Sequence, residues 1–349
     1  MGKAHPISKI AALLLLALIA ILPERVTAFE PRLPGQESFL TRAAFAGGRL
    51  WMLSDAGDVS SVAEGQDRRV VETLPERVAD LCVLGGRLTI VTVASDGSAW
   101  TVQERIGEAW SVRATVPSDG DGFLGMDCVS RRLTFLTTRR LVDIDAGQRH
   151  AVTLSEALRR PRGRITSIYG TPDELFVGFD AGEWGGGLSR IDRRSGAVSI
   201  VERNAGGALC GGPLVTDCDP VNGIATIPWK PGCLAIAVGL VHFAPTGRLV
   251  EVCGDQLREL YSKPYGSGSF PSTVAFFGLV SKDNMLWAMG IDGLHGIGPD
   301  GKVQIVPLPR FKSYDGVDIS FDLADVVLVL TNVNRRNSVS GPAPLIVPR

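Results

Sequence analysis

The feature that most constrains the fold is a short apolar strand that opens just after a turn and recurs along the chain. It begins, at intervals of roughly 40 to 60 residues, at Leu50, Leu88, Leu133, Leu175, Leu234, Leu286 and Val326. The best-defined copy, residues 173–202, has three apolar runs separated by Gly185–Gly187 and Arg193–Gly196. Short β-branched runs joined by tight turns are typical of antiparallel strands. Each copy is therefore predicted to be an antiparallel meander.

Seven such units predict an all-β protein, specifically a seven-bladed β-propeller. One meander cannot bury its apolar face alone, and units of this period bury theirs by stacking around an axis. Short hairpin turns are indicated by Asp96–Gly97, Asp292–Gly293 and Asp300–Gly301. A two-sheet sandwich is the competing all-β architecture, but the regular repeat favours the propeller.

Two of the units resemble the two-component-regulator propeller repeat, and the other five match it loosely. The matching residues are Gly186–Leu188 with Ile191–Asp192, and Asp292–Leu294 with Pro299–Gly301. In that family such propellers sense ligands outside the cell and feed a membrane-bound kinase. The resemblance implies the fold, but it carries over no binding residue because the motif is structural. No attached kinase is expected here.

The first 28 residues resemble a bacterial Sec signal peptide. Lys3 and Lys9 precede an apolar stretch, Ile10–Leu22, and Val26–Ala28 supplies small residues for cleavage. The alternative is an uncleaved anchor helix, although the apolar stretch is short for a bilayer span. We expect a periplasmic or secreted protein, with one propeller domain at residues 29–349 and no membrane span after cleavage.

Six cysteines lie after the leader, an even number that suggests disulfides in an oxidising compartment. Cys210 and Cys218 enclose a short loop and are candidate partners, although Cys218 with Cys233 is an alternative. Cys82 and Cys128 occupy similar places in neighbouring units. They are interpreted as buried thiols in preference to a bridge between blades.

The formal net charge of −1 gives no support for a nucleic-acid partner. The sequence contains no Gly-x-Ser-x-Gly nucleophile elbow, no His-Glu-x-x-His and no phosphate-binding Gly-Lys-Ser/Thr loop. No Cys-x-x-Cys occurs either, so a zinc site is not indicated. No metal and no cofactor are predicted.

The longest departure from the repeat is an insertion at residues 206–232, between the fourth and fifth units. The turn that carries Glu183 and Trp184 is predicted to open on the same face as this insertion. Long loops on a rigid repeat scaffold are common binding surfaces. This face is therefore the predicted binding face, although the insertion could instead only plug the channel or cover one blade.

The candidate ligand-binding residues combine acids, histidines and aromatics. Asp217, Asp219 and Asn222 could hold a cation through oxygen ligands, but they are interpreted first as Asx-turn residues around Pro220. His242 and His295 could be ligands or a general base, or they could be hydrogen-bonded strand residues. Aromatic rings near loops could stack on a sugar or peptide, or pack under a loop. The full candidate set is Glu183, Trp184, Asp217, Asp219, Asn222, His242, Tyr265, His295 and Tyr314.

Two functions remain open at this point. The favoured one is a monomeric, non-catalytic module that binds a small molecule, a glycan or a protein at the insertion face. The alternative is an extracytoplasmic propeller lyase or hydrolase that uses His242, His295 and Glu183, with catalytic residues otherwise unassigned. Propellers host both functions, so the fold alone does not decide between them.

Overall fold

The computed structural model describes residues 40–307, with gaps at 67, 129–131, 146–147, 159–163, 204–209 and 267–271, and strands at 317–321, 327–332 and 345–348. In this part of the chain the regular structure is antiparallel β-sheet plus one 3-10 turn, Gly182–Trp184. The predicted all-β propeller is confirmed. The proposed leader, residues 1–28, lies outside the described residues.

The first six units each form a four-stranded antiparallel sheet, or blade, whose strands pair in chain order. Blades one and two consist of β1 (Leu40–Ala46), β2 (Arg49–Ser54), β3 (Val59–Ala63), β4 (Arg69–Val71), β5 (Arg77–Leu84), β6 (Arg87–Val93), β7 (Ala99–Ile106) and β8 (Ala109–Pro117). Blades three and four consist of β9 (Phe123–Asp127), β10 (Leu133–Thr137), β11 (Arg140–Asp145), β12 (Gln148–Thr153), β13 (Arg164–Gly170), β14 (Glu174–Asp180), β15 (Gly186–Asp192) and β16 (Val198–Val201). Blades five and six consist of β17 (Val221–Thr226), β18 (Cys233–Val241), β19 (Pro245–Cys253), β20 (Gln256–Tyr261), β21 (Phe276–Lys282), β22 (Met285–Gly290), β23 (Gly293–Ile297) and β24 (Val303–Val306).

The prediction of seven blades is wrong, because the described residues form six four-stranded blades. The seventh unit contributes only a three-stranded sheet of β25 (Val317–Phe321), β26 (Val327–Asn332) and β27 (Leu345–Pro348). Strand β25 contacts β21 and β1, so this sheet lies between blades six and one. The sequence marker overcounted because it detects one strand after a turn, whereas a blade requires four paired strands.

The repeat marker corresponds to the start of the second strand of each blade. Leu50, Leu88, Leu133, Leu175, Leu234 and Leu286 are all buried there, and Val326 lies outside the described residues. Neighbouring blades cover both faces of these strands, which explains why they are continuous apolar runs. In β18, for example, Leu234–Val238 is buried throughout.

The hydrophobic core lies between neighbouring blades. Phe176 and Leu188 of blade four pack with Ile224, Ile236 and Val250 of blade five. This stacking holds adjacent blades, and therefore the loops that they carry, in a defined relation to one another.

Three disulfides are present in the described part of the chain. Cys210–Cys218 closes a loop within the insertion, and Cys233–Cys253 joins β18 to β19. Cys82–Cys128 connects blade two to blade three, so the interpretation of these two cysteines as free thiols is wrong. Cys82 lies near the end of β5 and Cys128 directly follows β9, and stacking of the two blades brings them together. Such a set of disulfides is typical of an extracytoplasmic protein.

The structure contains no helix, among the residues that it describes, that is long and apolar enough to cross a membrane.

Candidate binding face on blades four and five

Strand direction places three loops on one face of the propeller. Because antiparallel strands alternate in direction, the turn between the second and third strands opens on the same face as the connection to the next blade. Residues 181–185, the described residues 202–203 and 210–220, and residues 242–244 belong to loops of these two kinds in blades four and five. Residues 221–226 of the predicted insertion form β17, so the loop itself ends before Val221.

The insertion is hydrogen-bonded to the turn that carries Glu183 and Trp184. The backbone N–H of Gly186 donates to the carbonyl of Thr216 at 2.8 Å, and that of Gly187 donates to the carbonyl of Asp219 at 2.9 Å. Gly185 has φ +80°, and a Cβ there would lie 2.1 Å from the Thr216 carbonyl oxygen. Only glycine combines this backbone conformation with so close an approach.

Asp219 anchors the insertion from within. Its carboxylate accepts hydrogen bonds from the Val215 N–H at 2.7 Å and from Arg248 at 2.6 Å. Arg248 also donates to the carbonyls of Gly212 and Pro213. Burial raises the pKa of Asp219, and the contacts with Arg248 and Val215 oppose that shift. With the Cys210–Cys218 disulfide, these contacts hold in shape a loop that has little core of its own.

Glu183 and His242 form a pair across the blade boundary. Nδ1 of His242 lies 3.0 Å from Oε2 of Glu183, and each side chain is 46% exposed. The adjacent aromatic side chains project into solvent: Trp184 is 77% exposed and Phe243 is 96% exposed. The rings of His242 and Phe243 are in contact, with centroids 4.1 Å apart and planes tilted by 38°. We name Glu183, Trp184, Asp217, His242 and Phe243 the rim patch.

Phe243 is the residue that sequence reasoning missed. It occupies the tip of the β18–β19 hairpin, where a large apolar side chain gains nothing from folding unless something covers it. Its position between His242 and the Ala244–Pro245 pair was the available signal, because apolar residues are unusual at hairpin tips.

The three residues considered for a cation have separate roles. Asp217 is exposed, and Asp219 is buried against Arg248. The amide of Asn222 donates to the carbonyls of Gly239 at 2.7 Å and Phe276 at 3.1 Å. Across the described residues, no group of three His, Cys, Asp or Glu side chains is placed to hold a metal ion.

His295 lies in the interior of blade six, away from the rim patch. It is fully buried, with Nε2 2.8 Å from Oδ1 of Asp292 and Nδ1 3.2 Å from the hydroxyl of Tyr261. Lys263 pairs with the other carboxylate oxygen of Asp292. Tyr265 is half-buried against the core of blades five and six. Tyr314 lies outside the described residues.

A groove of about 430 Å³ lies at blade two, on the opposite face. It is lined by Leu84, Gly85, Arg87, Glu104 and Arg113. Glu104 is paired with Arg113 and, at 3.8 Å, with Arg87, so the acid of this groove already has two basic partners. None of the candidate residues lines this groove.

Comparisons with known proteins give the fold. No family model matches the sequence, and a search of curated proteins finds no match. The structure is similar to YCF48 from Cyanidioschyzon merolae (12% identity, TM-score 0.52, covering 86% of this chain and 94% of that one). It is also similar to YCF48 bound to D1 peptide (15% identity, TM-score 0.54, covering 89% and 96%).

A weaker similarity links the chain to the extracellular domain of BT4673 from B. thetaiotaomicron. The identity is 13% and the TM-score 0.48, and the match covers 91% of this chain but only 39% of that one. This chain therefore spans about two fifths of the BT4673 chain. The similarity to YCF48, at 12–15% identity, shows a common propeller fold alone, and function has to be argued from the site.

Proposed function

We propose that this chain is an exported, non-catalytic binding module whose binding site is the rim patch. The observation that carries the proposal is the exposure of Trp184 and Phe243, at 77% and 96%, each next in sequence to one member of the Glu183–His242 pair. Aromatic side chains supply much of the binding energy in interfaces because they bury a large area at low entropic cost. Leaving two of them in water is costly unless a partner covers them.

The loops that carry the rim patch are held in place by covalent and polar contacts, which favours binding. The Cys210–Cys218 disulfide, the Asp219–Arg248 pair and the hydrogen bonds from Gly186 and Gly187 fix the loops before any partner arrives. A rigid loop loses less entropy on binding than a flexible one. The YCF48 structure with D1 peptide is compatible with peptide binding by a propeller of this size.

Export is supported by the leader-like residues 1–28 and by the three disulfides. The resemblance of Gly186–Leu188 and Asp292–Leu294 to the two-component-regulator propeller repeat is compatible with ligand recognition outside the cytoplasm. The enzyme alternative relied on His242 and His295 acting together. His295 is fully buried and has both ring nitrogens engaged, which favours the binding module.

A thermal-shift and calorimetric screen of sugars, peptides and divalent metals tests the proposal. We expect a binder whose affinity falls about tenfold or more in Trp184→Ala and in Phe243→Ala, the range of interface hot spots. The matched control is Val112→Ala, since Val112 is an exposed apolar residue of β8 in blade two. Binding that is unchanged in both aromatic variants would place the site elsewhere.

A further inference from the structure

Three exposed acidic side chains lie on the segments that carry or adjoin the rim patch. Glu202 accepts a hydrogen bond from the N–H of Thr216 at 3.2 Å, and Asp217 follows Thr216 directly. The carbonyl of Thr216 in turn accepts the N–H of Gly186, next to the turn that presents Glu183. Glu183, Asp217 and Glu202 therefore lie on segments that are linked through Thr216 to the turn bearing Trp184, and all three reach solvent.

In the part of the chain that the structure describes, the basic residues near these acids are largely bonded to other groups. Arg248 is paired with buried Asp219, and Lys263 with Asp292. The exposed Arg203 directs its guanidinium to the carbonyl of Leu257 in β20. His242 contacts one oxygen of Glu183, but a carboxylate accepts several hydrogen bonds and retains capacity for another donor. Among the described residues, the exposed charge beside these aromatic side chains is therefore predominantly negative.

We propose that the rim patch binds a basic segment of another protein, in which an apolar side chain packs on Trp184 and Phe243 and flanking Lys or Arg side chains pair with Glu183, Asp217 and Glu202. This inference rests on the proposed function. Aromatic residues at the centre and opposite charges around them are the usual arrangement of a specific protein interface. Lys or Arg also gains from contact with the face of an exposed Trp. A neutral glycan would stack on Trp184 but would gain nothing from the net charge of the acids.

The test uses the purified protein and three fluorescein-labelled peptides followed by fluorescence anisotropy. The first peptide alternates Lys and Leu, the second Glu and Leu, and the third Lys and Gly. We expect the Lys–Leu peptide to bind about tenfold or more tightly than either of the others, and its affinity to fall as salt is raised. A soluble chito-oligosaccharide serves as the glycan probe.

Two sets of variants separate charge from fold. A variant that combines Glu183→Gln, Asp217→Asn and Glu202→Gln should bind the Lys–Leu peptide about tenfold or more weakly than the parent does. The matched control neutralises three exposed acids on the opposite face, Glu64→Gln, Glu108→Gln and Asp145→Asn, and should leave the affinity within about twofold. Thermal melting of each variant verifies that it is folded.

The possible outcomes distinguish the partner class from the site. If the Glu–Leu peptide or the oligosaccharide binds better, and Trp184→Ala abolishes that binding, the basic partner is wrong while the site stands. If the Lys–Leu peptide does not bind, the basic partner is also wrong. If it binds equally well to Trp184→Ala and Phe243→Ala, both the partner class and the site are wrong.

Discussion

At the scale of single residues, the chain uses buried charges to hold neighbouring blades together. Arg193, in the β15–β16 turn, donates to the carbonyls of Thr171 and Glu174 in blade four. It also donates to Thr134 at 2.9 Å and Asp143 at 2.7 Å in blade three. Arginine suits this position because its planar guanidinium donates in several directions at once.

Replacing Arg193 with Gln is expected to destabilise the protein strongly. Arg193 is the buried cation that contacts both Asp143 and Asp127, and removing one side of a buried ion pair typically costs about 3–5 kcal/mol. The neighbouring Arg194→Gln is the control, because Arg194 is exposed and should tolerate the change. Urea denaturation of both variants measures the difference, and equal midpoints would contradict a structural role for Arg193.

Asp292 is a second such residue, and it makes stability depend on pH. Burial acts to raise its pKa, but hydrogen bonds from His295 and Lys263 outweigh that effect and hold the pKa below its ordinary value. A carboxylate whose pKa is lowered by folding stabilises the folded state while it is charged. That contribution is present at neutral pH and is lost as the pH falls below the ordinary carboxyl range.

Asp292→Asn should therefore lower stability by about 1–3 kcal/mol at neutral pH, as expected for disrupting a buried charged hydrogen-bond network. The difference from the parent should begin to shrink below about pH 4, where this carboxyl group is protonated in the unfolded chain, and should disappear once the pH falls below the lowered pKa of the folded parent. Asp300→Asn is the control, because Asp300 is an exposed residue paired with exposed Lys302. Thermal melting of the parent and both variants across a range of pH tests this prediction. A stability difference between the parent and Asp292→Asn that stays constant at all pH values would refute it.

At the scale of elements, the first strand of every blade carries a β-bulge. The register shifts occur at Thr41, Ala79, Leu124, Thr166, Asn222 and Phe277. A bulge increases the local bend and re-aims a side chain. At two of these positions the side chain then reaches the next blade, since Thr166 donates to the carbonyl of Val221 and Asn222 to that of Phe276.

Asn222→Ala is expected to destabilise the protein by about 1–3 kcal/mol, because it leaves the carbonyls of Gly239 and Phe276 without their side-chain donors. Thr41→Ala is the matched control, since Thr41 occupies the same bulge in blade one and makes a single long bond, 3.4 Å, to Leu53. Chemical denaturation of both proteins provides the comparison. A larger loss for Thr41→Ala would show that the bonds of Asn222 add little.

At the scale of the whole molecule, covalent bonds reinforce the same blades that the core joins. The Cys82–Cys128 disulfide spans 46 residues and connects two blades, whereas Cys210–Cys218 spans 8 residues within one loop. In the chain-entropy view, a disulfide stabilises the folded protein by restricting the unfolded chain, and the stabilisation is larger when the disulfide closes a longer loop. The two disulfides should therefore differ in effect.

Paired Cys→Ser changes test this difference. Removing Cys82–Cys128 should cost about 4 kcal/mol, and removing Cys210–Cys218 about 2.5 kcal/mol. The variant without Cys210–Cys218 should also bind a rim-patch ligand more weakly, because the insertion loses the disulfide that holds its shape while the blades stay intact. Calorimetric melting gives the first comparison and titration the second. A larger stability loss for the Cys210–Cys218 variant would contradict the entropic account.

The sequence by itself determined the properties that depend on neighbours along the chain. Asp96–Gly97 forms a hairpin turn because the backbone of Gly97 tolerates φ +71°, and the buried run Leu234–Val238 forms a strand covered on both faces. The strand order also placed Glu183 and Trp184 on the face of the insertion, because antiparallel strands alternate in direction. The number of blades could not be predicted in this way, because a turn and one strand do not reveal whether a unit has three strands or four.

Only the tertiary structure decided which distant residues share a surface. His242 and His295 occur in similar phrases, Gly239–His242 and Gly293–His295, yet one lies at an exposed hairpin tip and the other inside a blade. Asn222 resembled a ligand and instead joins two blades, and Cys82 met Cys128 through blade stacking. Such contacts depend on how sheets pack around the axis, and packing is set by the combined shape of many side chains. No local pattern in the chain records it.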